Sequence, residues 1–119
     1  MAAITMQNYH DCYDYGKEIH LGNLSRKVAV NALVNSGMAE RSAVYYLQCV
    51  CSMLSGERYT ATVKEIATSY FLTQIFRDFG MDALRLALQS LRSHLDYQKG
   101  KNELSGLEKL YQEFVDVLV

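Results

Sequence analysis

There is no proline anywhere in the 119 residues, and there are only seven glycines. A β-rich chain usually marks its turns with these residues, so their scarcity favours helices joined by short connections. No apolar run approaches the length needed to span a bilayer. The opening MAAITMQNYHDCYDYGKE lacks the cationic start and apolar centre of an export signal. No membrane partner and a cytoplasmic location are therefore expected. The three cysteines, Cys12, Cys49 and Cys51, are an odd number. Cys49 and Cys51 stand two apart on a predicted helix, where side chains diverge by about 200° and neither bridge nor share a metal. They read as small buried hydrophobes in a reducing compartment. His10, His20 and His94 are scattered, without a zinc-ligand spacing, so neither a metal nor another cofactor is expected. HExxH, a histidine-asparagine-histidine nuclease core and a glycine-rich phosphate cradle are all missing. No catalytic residues are assigned and no enzyme is expected.

What is present describes one domain spanning 1–119. Half the residues are apolar and about a fifth are charged, the balance of a globular chain. The periodicity predicts an all-α bundle of about six helices. Tyr9, Cys12, Tyr13, Gly16, Ile19 and His20 line the first, which Gly22 ends. Asn23 or Ser25 caps the second, with Leu24, Val28, Ala32 and Leu33 inward and a stop at Asn35-Ser36-Gly37. The third runs from Glu40 to Ser55 with Ala43, Leu47, Val50, Cys51 and Leu54 inward, and Gly56 closes it. Thr62 to Glu65 fits a capping box that opens the fourth. There Ile66, Tyr70, Ile75 and Phe79, widened by Phe71, Leu72 and Phe76, predict a central helix ended by Gly80. Asp82 caps the fifth, whose seam is Leu84, Leu88, Leu91 and Leu95 and whose outer face is Arg85, Gln89, Arg92 and Asp96. A second capping box, Ser105 to Glu108, opens the last helix, with Leu107, Leu110, Tyr111, Phe114 and Leu118 inward.

Charge is unevenly distributed although the net charge is only −1. Residues 26–101 hold ten Lys/Arg against six Asp/Glu, a local balance of +4, between two acidic ends. A basic face built from Arg41, Arg58, Lys64, Arg77, Arg85 and Arg92, joined by Lys99 and Lys101, is one candidate surface for phosphates. The alternative is a solvated mixed surface. The nine tyrosines form the other feature. In the first helix Tyr9, Tyr13 and Tyr15 interleave with Asp11, Asp14 and Glu18, a candidate surface for a basic protein partner; the alternative is half-buried helix packing with the hydroxyls in water. A homodimer through a patch left by the leucine seam and the last helix is also admitted.

One block, 36–97, carries a pattern: Ser36-Gly37-Met38, Ser42-Ala43, Met53-Leu54, Gly56, Tyr59-Thr60, Thr62, Ala67-Thr68, Tyr70-Phe71-Leu72, Asp78-Phe79-Gly80, His94 and Tyr97. It resembles the N-terminal helical head domain of McrA-like, modification-dependent HNH restriction endonucleases. In that family the head precedes base-reading and nuclease domains, and no nuclease core is read within these 119 residues. A basic residue expected after Tyr59-Thr60 is Ala61 here. The resemblance implies a non-catalytic module of bacterial restriction and defence. Its expected partner is duplex DNA, a bacterial nuclease or a nucleoprotein complex. The other expectation is a phage or mobile-element inhibitor, of anti-CRISPR or anti-restriction type, acting by protein–protein contact.

Overall fold

The computed structural model describes residues 4–100 and 104–118. Among them are six helices and no strand: α1 (Met6–His20), α2 (Arg26–Asn35), α3 (Glu40–Ser55), α4 (Glu65–Phe79), α5 (Met81–Gln98) and α6 (Ser105–Val117). The all-α bundle predicted from the periodicity is what forms. Lys101 lies outside the described residues.

The centre of the bundle is α3 rather than α4. Ala43, Tyr46, Leu47, Cys49, Val50, Ser52, Met53 and Leu54 are all buried, which leaves α3 only a narrow wet edge. It packs on α1, α2 and α5, while α5 carries α4 and α6 on its other sides. The apolar circumference of α4 misleads. Its core face is Ala67, Thr68, Phe71, Leu72 and Ile75, and Ile66, Phe76 and Phe79 are exposed. Val28 and His20, predicted inward, also face out; Ala29, Val30 and Leu33 make the buried stripe of α2. The α5 seam of Leu84, Leu88, Leu91 and Leu95 is buried as its spacing requires.

The helix stops follow the glycines. Gly22, Gly37, Gly56 and Gly80 all have positive φ, the conformation glycine adopts without a Cβ penalty. The starts differ from expectation. Thr5 caps α1 in a capping box with Asn8, and Ser25 caps α2. Lys64 and Leu104 occupy the N-cap positions of α4 and α6, and neither makes a side-chain cap bond. The boxes read at Thr62 and Ser105 are not made: α4 begins at Glu65, three residues past Thr62, and α6 begins on Ser105 itself, so neither residue stands at an N-cap. Asp82 lies inside the first turn of α5, after Gly80 at the N-cap, and pairs with Arg85.

Candidate nucleic-acid interface

The segment from Gly56 to Lys64 has no regular structure of its own, so its backbone must find partners elsewhere. Gly56 turns the chain out of α3 at φ 78°, and a Cβ there would meet Leu86 Cδ2 at 2.9 Å. Beyond it Tyr59 and Val63 are buried, while Thr60, Thr62 and Lys64 point to solvent. α5 supplies the missing hydrogen bonds. Gln89 Nε2 donates to the Gly56 carbonyl at 3.2 Å and Ser90 Oγ to that of Glu57. Gln98 Nε2 donates to the Thr60 carbonyl at 2.8 Å. His94 Nδ1 lies 2.7 Å from the Tyr59 carbonyl. Ser90, His94 and Gln98 recur every four residues and so form one polar strip along α5. All three are buried, and the strip straps the loop along the helix.

The middle of the strap is an aromatic pair. The rings of Tyr59 and His94 stack at 4.2 Å with only 8° between their planes. Both side chains are buried. The Tyr59 hydroxyl lies beside the Cys49 thiol without a conventional hydrogen-bond partner. Because a carbonyl only accepts, His94 Nδ1 must carry the proton in the neutral ring. Nε2 is then a bare lone pair, with no partner among the described residues. Burial lowers the His94 pKa below its ordinary 6.5, against the opposing effect of the Tyr59 carbonyl. The unfolded chain therefore binds a proton that the folded chain refuses. Folding stability is unaffected by His94 above pH 6.5. Below that it falls as pH drops towards the folded-state pKa, by at most about 1.4 kcal/mol per pH unit. Urea titrations between pH 7.5 and 5 should show this loss, and His94→Asn should flatten it. Asp78, held low by the Tyr13 hydroxyl and Lys17 against its own burial, and Glu108, held low by Arg92, lose their contribution only in more acid solution.

Two of the predicted basic residues sit on this strap. Arg58 is exposed; its Nε donates to Ser93 Oγ at 2.8 Å and its guanidinium lies 5.8 Å from the Tyr97 ring centre. Lys64 is exposed at the start of α4 and lines a shallow cleft with Thr62, Leu104 and Ser105. Leu104 and Ser105 also border the neighbouring cleft lined by Lys99, Arg92 and Glu108, so Lys64 and Lys99 stand in adjoining clefts while Arg58 lies against α5 beside Ser93 and Tyr97. Among the described residues neither Arg58 nor Lys64 has a carboxylate partner. Lys99 adds its field to that of Arg92 at Glu108.

Arg92 shares the Lys99 cleft but is paired there with Glu108, and the other predicted cations lie elsewhere. Arg92 grips Glu108 with both terminal nitrogens, each at 2.9 Å, and also meets Asp96 at 3.1 Å. Arg85 pairs with Asp82 at 2.8 Å. Both line an open groove of about 500 Å³ between α5 and α6, whose floor is Leu88, Tyr111, Val115 and Leu118. Arg77 pairs with Asp78 at 3.3 Å. Arg41 is exposed at the end of α3 remote from Gly56. The continuous face of six cations is thus replaced by a smaller one.

The acidic tyrosine surface of α1 is also reduced. Tyr9 is buried against Tyr46, with ring centres 5.6 Å apart, and Tyr13 is buried edge-on to Tyr70. The Tyr13 hydroxyl donates to Asp78 Oδ2 at 2.8 Å, which Lys17 also reaches at 3.3 Å. Burial and Asp78 together push the Tyr13 pKa up. These rings join α1 to α3 and α4 and present no face to a partner. Tyr15 is half-buried, Asp11 accepts from Gln7, Asp14 pairs with His10 at 3.2 Å, and Glu18 accepts from Asn23. Among the described residues no three His, Cys, Asp or Glu side chains converge as a metal site. Comparison with protein-family models, with curated proteins and with solved structures finds no match.

Proposed function

We propose that this chain is a non-catalytic binding module of bacterial DNA restriction or defence, and that it touches duplex DNA through the phosphate backbone. The observation that supports this reading is the strapped loop. It presents Arg58 and Lys64 to solvent with no carboxylate partner among the described residues, beside the exposed hydroxyl-bearing Thr60 and Thr62, and Lys99 lines the cleft next to that of Lys64. Cations and hydroxyls on a fixed backbone suit phosphate oxygens, and they carry no sequence information. The resemblance of 36–97 to endonuclease head domains supports the same assignment.

Three cations set the scale. With about three phosphates neutralised, log K should fall with log salt at a slope near −3. Fluorescence anisotropy with a labelled duplex at ~100 mM salt should give an affinity in the non-specific range, about 10⁻⁴ to 10⁻⁶ M. Arg58→Glu with Lys64→Glu should weaken it by roughly tenfold or more. Arg85→Glu changes charge about 18 Å from Tyr97 along the α5 axis and should have far less effect. Equal losses for both variants would sink the placement of the interface. A second reading keeps its own support. The carboxylates of Asp11 and Asp14 on α1 and the apolar floor between α5 and α6 suit a protein partner, as an inhibitor of a defence nuclease would need. It expects no binding to the duplex and stoichiometric capture of a nuclease.

A further inference from the structure

The polar strip of α5 does more than satisfy the loop's carbonyls. We propose that His94 is the positioning residue of the phosphate-binding loop, and that protonation of its ring releases the loop and weakens DNA binding. The inference rests on the DNA reading above.

Arg58 and Thr60 flank Tyr59, whose ring lies on the His94 ring and whose carbonyl faces His94 Nδ1 at 2.7 Å. One residue of α5 therefore fixes both the side chain and the backbone at the middle of the displayed segment. Ser90 holds the Glu57 carbonyl before it and Gln98 the Thr60 carbonyl after it. Fixing a loop before it binds removes part of the ordering cost of binding, so loss of the strap should appear as lost affinity.

The release follows from where a proton would go. Nδ1 already carries one, so the second adds at Nε2, which is buried and has no acceptor among the described residues. The result is a buried cation with an unsatisfied donor, the combination most adverse to the closed state. The groups facing His94 cannot neutralise it. Tyr59 from the loop is neutral with its pKa pushed well up, and so is the Cys49 thiol that approaches Tyr59 from α3. No charged side chain shifts the titration of His94; burial and the Tyr59 carbonyl do. Unstacking the loop hydrates the ring and relieves the charge. Acid should therefore weaken binding, whereas added positive charge by itself would strengthen attraction to phosphate.

The test uses the whole chain, with amide exchange of 57–62 measured by NMR and duplex affinity by anisotropy, each at pH 7.5 and pH 5. For the wild type, exchange corrected for its intrinsic pH dependence should rise at pH 5 as the loop's backbone opens to solvent, and affinity should fall. His94→Asn keeps a side-chain N–H donor but does not titrate, and it should make both readouts insensitive to pH. His94→Phe keeps the stack and loses the donor, and it should be loose and weak at both pH values. Should His94→Phe fail to fold by circular dichroism, Gln98→Leu loosens the same loop from its outer bond and should show the same paired change. Unchanged exchange in both loosened variants would overturn the positioning role. Affinity that rises from pH 7.5 to 5 in the wild type would overturn the release. Faster loop exchange with unchanged affinity would overturn the inference by a different route, because it removes the loop from the DNA contact and leaves the strap purely structural.

Discussion

Tyr59→Ala should lower folding stability by about 3–5 kcal/mol, the range for removing a large buried aromatic side chain. Tyr59→Phe should cost less than about 1 kcal/mol, because the hydroxyl it removes has no conventional hydrogen-bond partner. The contrast separates the roles of the ring and its oxygen. The ring is buried, covers the face of His94 at 4.2 Å and closes the space between α5 and the Cys49 side of α3. Its removal opens a cavity between two central helices and strips the shield from a neutral imidazole. The phenolic oxygen, by contrast, was already left without a normal partner when the chain folded. Urea unfolding at pH 7.5 measures both values. A loss for Tyr59→Phe approaching that for Tyr59→Ala would mean that the Cys49 contact carries the stability and that the stack does not. Tyr59→Ala should also abolish the acid-dependent part of the stability profile, since a solvated His94 regains its ordinary titration.

How much of this was legible in the sequence depends on the range of the interaction. Glycine stops and leucine spacing are local, and Gly56, Gly80 and the α5 seam act as their patterns require. Cap residues are equally local but compete with neighbours. Thr62 and Ser105 had the right chemistry, yet α4 starts one residue after Lys64 and α6 starts on Ser105 itself. Burial of the aromatic residues was the harder question, because an apolar residue shows only that it prefers cover. Phe76 and Phe79 of α4 remain exposed, while Tyr9 and Tyr13 of α1 take the buried places against Tyr46 and Tyr70. The charges behaved in the same way. Composition pointed to Arg92 and Arg58 alike, and only tertiary packing places Glu108 against one and leaves the other with Ser93 and Tyr97.

The strap itself left a trace that charge and motif searches pass over. Ser90, His94 and Gln98 are polar residues at four-residue spacing beside an unbroken leucine seam, a pattern that calls for a polar partner inside the bundle. Their partners, the carbonyls of Glu57, Tyr59 and Thr60, have no sequence signature at all. Every residue type presents the same carbonyl, so this half of the site becomes visible only when the backbone is placed.

Gly16→Ala should destabilise the fold by about 1–3 kcal/mol, although alanine is the better helix former by about 1 kcal/mol. The sign is decided by how closely α1 approaches α3. A Cβ on Gly16 would lie 2.5 Å from Val50 Cγ1 and 2.7 Å from Val50 Cβ. Neither can swing away, because Val50 is fully buried and branched at the very atom that is struck. The backbone is close as well, with Cys51 Sγ 3.7 Å from the Gly16 carbonyl. Relief therefore requires the two helices to move apart, which would disturb the neighbouring Tyr9–Tyr46 contact and the burial of Cys12 and Tyr13. A double-mutant cycle isolates this cause. Val50→Ala alone should cost about 2 kcal/mol by leaving a cavity. In the Val50→Ala background the 2.5 Å contact with Cγ1 is gone while the 2.7 Å contact with the Cβ that alanine retains remains, so Gly16→Ala should cost less there than in the wild type without becoming stabilising. The coupling should exceed about 1 kcal/mol, well beyond the few tenths expected of independent sites. Additive losses in thermal or urea unfolding would show that the cost of Gly16→Ala lies in α1 itself, and that the α1–α3 approach has room the geometry denies.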